Sequence, residues 1–426
     1  PPTPPPLPPS PPSPPMHLTT AGYAEQVNGI LVGEYDGDQF GGYYAMGMSF
    51  SYDGQTLAVG ADQNDGADGG GGVNRGHVRV FTRNGTGWTQ RGVDIDTVSA
   101  GITSDGNYVD YGHQVGLSAD GTVLAVGAYG GQYAEVLKWN GVVWELRGQR
   151  IAGEGSTSLG HQVKLSADGL GLALSNFGSG IMCVYDYDVN QNQWIKRGSN
   201  LGPGSSWFGF NIALSADGTT IVGSNRSPTL VVRAFKWDGA AWAERAIDGT
   251  AFLTPSHSGY SHRLALSADG TILAVSDSAA QSSLGIVRTF KWNENANPPA
   301  YEIVGSLIGG PHANANFGSA LSLSDDGQLM AVSGTSDGTG AFSPVYIWNG
   351  ADWNPLADHT PLGTNGPTVY LSMLSGDGKT LAVGQGAAGA DGTLGSDRGH
   401  VRVFVLHSHP SPPSPPPLPS LPSLPL

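Results

Sequence analysis

Seven copies of one phrase run through this chain of 426 residues: an apolar run, a turn of the form Ser-Ala-Asp-Gly, and a second apolar run of the form Leu-Ala-Val-Gly. The turn glycines are Gly54, Gly121, Gly169, Gly218, Gly270, Gly327 and Gly378. Successive spacings of 67, 48, 49, 52, 57 and 51 residues fall where internal repeats mean propeller blades or solenoid coils. Each copy holds enough chain for one small sheet, so the count goes far toward fixing the architecture.

The second copy shows the unit. Residues 111–118 alternate well enough for a first strand, Ala119-Asp-Gly121 turns, and residues 122–127 return as a second strand. Residues 134–139 read as a third strand and 142–147 as a fourth. They are joined at Asn140-Gly141, which predicts a type I′ hairpin with positive φ at both central residues. Four antiparallel strands linked this way make one propeller blade. The hairpin signal recurs at Asn84-Gly85, Asp238-Gly239 and Asn349-Gly350. Tryptophans flank three of the four, at Trp139 and Trp144, Trp237 and Trp242, Trp348 and Trp353. Such pairs either pack sheet on sheet or offer a platform for stacking sugars.

The ends of the array do not match. The last copy stops after its third strand, 399–404, while an extra strand at 23–33, similar to 144–153, precedes the first copy. Pairing the two would close a ring and remove an aggregation-prone sheet edge. The expected fold is all-β: a seven-bladed β-propeller over 19–407, closed by the N-terminal strand and flanked by polyproline II arms at 1–18 and 408–426.

Tyr111-Gly112, Phe208-Gly209 and Phe317-Gly318, each followed by a Leu-Ser-x-Asp-Gly-type turn and a Leu-Ala-Val-Gly-like run, give the chain a resemblance to FG-GAP repeat proteins over roughly residues 22–406. That resemblance implies the seven-bladed propeller known from integrin α heads. Integrin-like blades hold calcium in an extended Asp-x-Asp-x-Asp-Gly loop between their first two strands; here every corresponding turn is shortened, so the resemblance does not carry calcium to those positions.

Composition narrows the function classes. With 20 basic against 35 acidic residues the formal charge is −15, which disfavours nucleic acid and anionic membranes as partners. No run of 18 apolar residues is present, so membrane insertion is not expected. Cys183 is the single cysteine, so no intramolecular disulfide forms; in the apolar run 181–185 it reads as a buried, inert thiol. The chain opens on Pro1 and reads as a processed product or a piece of a longer precursor.

Catalytic constellations are scarce. A sialidase-type site needs an arginine cluster, whereas Arg79, Arg233, Arg288 and Arg402 recur at strand positions. His113, His161 and His262 share one place in their copies, but the other copies carry Met46, Phe210, Ser319 and Tyr370 there, which argues against a metal ring. For metal, the loop 62–68 is the strongest candidate: Asp62, Asn64, Asp65 and Asp68 offer oxygen ligands around a flexible glycine, a pattern that suits calcium, with Asp36 and Asp38 nearby in the chain. The same composition is also ordinary for a turn. Asn84-Gly-Thr86 and Asn225-Arg-Ser227 match the N-glycosylation pattern, with Asn84 favoured because it sits at a hairpin tip and Pro228 follows the second match.

Residues 1–15 and 410–426 are mostly Pro, Ser and Leu. Proline fixes φ and donates no hydrogen bond, so these arms read as polyproline II rods, each reaching roughly 45–55 Å at about 3.1 Å per residue. Their Ser-Pro-Pro runs resemble the hydroxyproline-rich glycoproteins of plant and algal walls, extensins and pherophorins among them. That resemblance implies hydroxylated, O-glycosylated prolines at Pro11, Pro12, Pro14, Pro15, Pro412, Pro413, Pro415, Pro416 and Pro417. The sequence therefore reads as a non-enzymatic, extracellular structural glycoprotein whose partners are copies of itself, assembling through the arms into a fibril, flagellar hair or wall material. The alternative is an adhesion or glycan-binding propeller on proline-rich stalks. Covalent glycans are expected and calcium is the one metal considered.

Overall fold

The computed structural model describes residues 21–35, 37–42, 47–65, 74–85, 87–96, 108–153, 158–204, 207–226, 230–248, 262–334, 342–356, 371–385 and 398–408, with the backbone alone at 21–28, 407 and 408. Asp36, Met46, Asp68, Thr86, Tyr370 and all the prolines named for glycosylation lie outside the described residues.

Among the described residues nearly every regular element is an antiparallel strand, and the one helical turn is Ala280–Ser283. Four-stranded meanders span 48–90, 111–146, 159–196, 208–247, 262–309 and 320–355, each with its strands hydrogen-bonded in chain order. A short parallel pairing of Ala246 with Ala300 and Ile247 with Tyr301 merges the fourth and fifth of these into one eight-stranded sheet. A further sheet takes Leu371–Leu374, Thr380–Gln385 and His400–Ser408 from the end of the chain and Ala21–Val32 from its beginning. In that sheet Ala21 pairs with Ser408 and Val32 with His400, with a register shift between Glu25 and Ile30.

Each residue of the repeated turn has a task. In the first copy the Ser51 hydroxyl donates to Asp53 Oδ1 (2.7 Å) and accepts from the Thr56 N–H (2.9 Å), while Asp53 Oδ1 accepts from the Gln55 N–H (3.0 Å). Glycine closes the turn because the backbone there is left-handed, with φ of +64 to +70° at all seven turn glycines. The second residue of each turn, joined in the last by the third residue, Asp377, then bonds the neighbouring turn. The N–H groups of Tyr52, Ala119, Ala167, Ala216 and Ala268 donate to the carbonyls of Ala119, Ala167, Ala216, Ala268 and Asp325, Asp325 donates to Gly376, and Asp377 donates back to Tyr52, all at 2.8–2.9 Å.

The core lies between sheets, not within them. Each apolar cluster draws on two consecutive repeats, as where Ala58, Val78 and Val80 meet Val115, Leu124 and Val126. Another joins the chain's ends, packing Leu31, Leu371, Ala382, Val401 and Val403 with Met48, Phe50 and Leu57.

The tryptophans belong to this packing. Across the third and fourth strands Trp139 and Trp144 lie 5.5 Å apart, Trp237 and Trp242 5.4 Å, and Trp348 and Trp353 5.4 Å. The second indole reaches back to the preceding repeat: Trp144 Nε1 donates to Arg91 O (3.1 Å), Trp194 to Arg147 O (2.8 Å) and Trp242 to Arg197 O (2.9 Å). The arginine returns the contact, since Arg91 stacks over Trp139 at 4.9 Å and donates to Gly121 O (3.0 Å). Trp-x-x-Arg, present at 88–91, 144–147, 194–197 and 242–245, is thus an inter-repeat fastener, and the sugar-platform reading of the pairs gives way to packing.

One local expectation is corrected. The hairpins at Asn140-Gly141, Asp238-Gly239 and Asn349-Gly350 are not two-residue type I′ turns. Trp139 pairs with Trp144, leaving a four-residue loop 140–143 in which only Gly141 has positive φ (+105°). Asn140 instead uses its side chain, its Oδ1 accepting from the N–H groups of Val142 (2.8 Å) and Val143 (2.9 Å). An Asx-type cap satisfies those donors without forcing asparagine into the left-handed region.

Candidate functional site

The first strand of each repeat ends at the Ser-x-Asp-Gly turn and the second leaves it. Residues just after a second strand and near the start of a first strand therefore meet at the end away from the turns. Asp62, Tyr129, Phe177 and Arg226 each follow a second strand, and His113, His161 and Phe210 lie near first-strand starts. Together they form an arc across the first four repeats. His113 Nδ1 lies 2.9 Å from Asp62 Oδ2, and its ring sits 5.1 Å from both Tyr129 and His161. His161 then contacts Phe177 (4.6 Å) and Phe210 (4.8 Å), and Phe177 contacts Trp207 (6.3 Å). Arg226 completes the row, its guanidinium 4.8 Å from the Trp207 ring and 5.6 Å from Phe210.

Trp207 is the unusual member. It is 49% exposed and held at φ +52°. The residue before the aromatic-Gly or Leu-Gly pair is left-handed in other repeats too, at Gln39, Asp110, Ser158 and Asn316. Those are small or polar residues, which tolerate this region better than a bulky ring does. A tryptophan placed there accepts strain and leaves most of an indole face in water, a pairing that marks functional positions. A cleft of about 310 Å³ is lined by Pro203, Phe208, Asn225, Val231 and Arg233, none of which is a member of this row.

The two ends of the arc differ in charge. Asp110 lies next to Asp62, and burial first, then the Asp62 charge, push its carboxyl up to about 6, with His113 opposing. His161 is driven well below the usual imidazole range by burial and by the cationic neighbourhood of His113, Arg263 and Arg226, which leaves it neutral. The folded state holds the Asp110 proton more tightly than the unfolded chain does. Its contribution to stability is therefore full below about pH 4 and lost as pH rises through about 6. Asp110→Asn, which fits the left-handed backbone, is expected to raise the melting temperature at pH 7–8 and to match the parent near pH 4, as scanning fluorimetry across pH would show.

Of the residues named for calcium, Asp62 faces His113, Asn64 donates from Nδ2 to Asp38 Oδ1 (2.9 Å), and Asp65 Oδ1 accepts from the Asn74 N–H (3.0 Å). The fourth, Asp68, lies outside the described residues. Of the three histidines, His113 and His161 are neighbours, whereas His262 stands two repeats on, 3.9 Å from Asp277 Oδ1. Asn84 is exposed at the end of its strand. Asn225 is 2% exposed and its Oδ1 accepts from the Val231 N–H (2.8 Å), so it is closed to glycosylation in the folded protein. Cys183 is buried, with Sγ 3.3 Å from Asn200 Oδ1. Among the described residues, no helix is long and apolar enough to cross a membrane.

No family model matches the sequence, and no curated protein matches it either. Solved structures do. The β-propeller domain of Cps50 (Swd1) from Myceliophteria thermophila aligns with a TM-score of 0.56 and 12% identity over 90% of this chain and 99% of that one. The chain is a β-propeller. Hydrazine synthase of Kuenenia stuttgartiensis (TM-score 0.51, 13% identity, 87% and 96% coverage) and a putative 6-phosphogluconolactonase from Bacteroides uniformis (0.52, 13%, 74% and 85%) share the architecture. At such identities the likeness is one of fold, and the repeats of this propeller have to be read for function from their own side chains.

The sequence reading missed Trp207 and Arg226. Laying the copies against one another makes Trp207 visible, because it alone puts a large ring where the others carry Gln39, Asp110, Ser158 or Asn316.

Proposed function

We propose that this propeller has seven blades, closed by the N-terminal strand, and that it is a non-catalytic extracellular binding module whose ligand is carbohydrate. The carrying observation is Trp207: half exposed, left-handed, backed by Arg226 and continuous with the Phe210, Phe177 and Tyr129 rings. An exposed indole stacks on the apolar face of a pyranose, while Arg226 beside it supplies polar contacts. The hydrogen-bonded circuit of turns and the apolar cluster joining the chain's ends support the closed ring. Screening the protein on immobilised oligosaccharides, followed by calorimetry, tests the reading. Trp207→Ala and Arg226→Ala are each expected to weaken binding at least about tenfold, the order of one lost stacking contact, with little change in melting temperature. Binding to no saccharide, or equal binding by both variants, overturns it.

A second reading, assembly through the arms, has its own observation. Ala21 pairs with Ser408, so both proline-rich arms are rooted at one point. Rods that start together favour bundling with rods of neighbouring copies, and repeated head-to-tail contact gives an open polymer. Hydroxylated, glycosylated prolines and an N-glycan at Asn84 belong to this reading, and the intact mass of the native protein decides them: an unmodified mass sinks it.

A further inference from the structure

Glu34, His77 and Asp94 come from separate stretches of chain and converge. Glu34 lies two residues beyond the N-terminal strand Ala21–Val32, His77 opens the strand His77–Asn84, and Asp94 directly precedes Ile95–Asp96, which pairs with that strand. One nitrogen or carboxylate oxygen from each lies within 4.8 Å of the other two. His77 is 4% exposed, and its Nε2 has no hydrogen-bond partner among the described residues. A polar atom buried without a partner is costly, and this ring stands beside two carboxylates.

Electrostatics agree on the sign of that occupant. Glu34, Asp38, Asp94 and Asp96 act on this neighbourhood against a single cation, Arg79. Arg79 is committed at the edge: Nη2 donates to Val32 O (2.6 Å), the guanidinium stacks over Phe40 at 4.3 Å, and Nη1 stays 3.6 Å from Glu34 Oε1. A neutral imidazole offers one nitrogen lone pair to a cation.

We propose that Glu34, His77 and Asp94 bind one divalent transition-metal ion of the zinc class, fastening the N-terminal strand to the first blade. One imidazole nitrogen with two carboxylate oxygens suits Zn²⁺, with water in the fourth place, and is poor in oxygen for Ca²⁺ or Mg²⁺. Tetrahedral bonds of about 2.0–2.1 Å put ligand atoms about 3.3 Å apart, so the group must draw in slightly. Glu34, on the exposed side of the group and held to Arg79 only at 3.6 Å, supplies that movement. The ion would tie residues at the very end of the N-terminal strand to two segments that belong to a different sheet.

The full-length protein, stripped with chelator, is titrated with Zn²⁺ in a calorimeter, with Ca²⁺ as the control. One Zn²⁺ is expected to bind per chain, to raise the melting temperature and to slow hydrogen exchange at residues 30–33. The variant Glu34→Gln/Asp94→Asn, nearly isosteric with the parent, is expected to lose at least about tenfold in affinity while its metal-free melting temperature holds. Glu34→Gln alone, at an exposed position, serves if the double variant does not fold. No uptake of Zn²⁺, or uptake undiminished in these variants, overturns the assignment, as does Zn²⁺ binding that leaves exchange at 30–33 unchanged.

Discussion

Gly127→Ala is expected to destabilise the protein by about 3 kcal/mol or more, or to prevent folding, although it adds one methyl group to a strand. A Cβ at Gly127 would stand 2.1 Å from the carbonyl oxygen of Gly160 in the next blade. That oxygen belongs to backbone held in a left-handed conformation, φ +86°, and the Cα of Gly160 is itself hemmed in: a Cβ there would meet Tyr133 O at 2.2 Å. Neither side has a rotamer to change, so relief requires moving one blade against the next. The same interlock occurs at Gly60 against Gly112 O (2.0 Å) and at Gly384 against Gly41 O (2.2 Å). The fourth repeat provides the control. At Gly223 the nearest obstacle is the Met182 sulfur at 2.4 Å, on a flexible side chain, so Gly223→Ala is expected to cost only about 1 kcal/mol. Denaturant midpoints of the two variants check the argument, and equal losses would remove the interlock as the reason for the repeated glycine.

That interlock explains why so much of the fold was legible. The Leu-Ala-Val-Gly and aromatic-Gly phrases are required by contact between blades, and the Ser, Asp and Gly of each turn by its hydrogen bonds, so the repeats stand out in the sequence at almost every constrained position. The strands of the second repeat, Tyr111–Leu117, Val123–Ala128, Tyr133–Trp139 and Trp144–Leu146, fall within a few residues of the reading from pattern alone. The hairpin type was misread because asparagine has two ways to make a turn, by backbone or by side-chain cap, and sequence does not separate them. The site was less legible for the opposite reason. Asp62, His113, Phe177 and Arg226 occupy repeat positions that fold alike whatever they carry, and they become neighbours only when consecutive blades are set side by side. His77 and Glu34 are farther apart still in kind: one opens a strand of the first repeat, and the other lies outside the repeats, at the end of the N-terminal strand.

Removing residues 1–32 is expected to make the protein aggregate, whereas removing only residues 1–17 and 409–426 is expected to leave a folded, soluble monomer. The contrast isolates what the strand Ala21–Val32 contributes from what the arms contribute. Without that strand, the backbone donors and acceptors of His400–Ser408 lose their partner and present an open edge that pairs with any other extended chain. The apolar cluster at the chain's ends loses Leu31, which is 8% exposed beside Phe40, Met48 and Leu57. Arg79 loses the Val32 carbonyl that fixes its guanidinium, and the N–H of Gly33, which donates to Gly399 O (3.0 Å), loses the strand that holds it in register. The arms make no comparable demand, since proline brings no backbone donor to a sheet. Size-exclusion chromatography with light scattering and thermal unfolding distinguish the two deletions. A chain lacking 1–32 that stays monomeric and melts with the parent would show that the other blade interfaces suffice without the N-terminal strand. If the full chain self-associates and an arm-deleted chain does so equally, assembly moves from the arms to the blade faces, leaving the arms as tethers and making the exposed surface around Trp207 the first place to look for the contact.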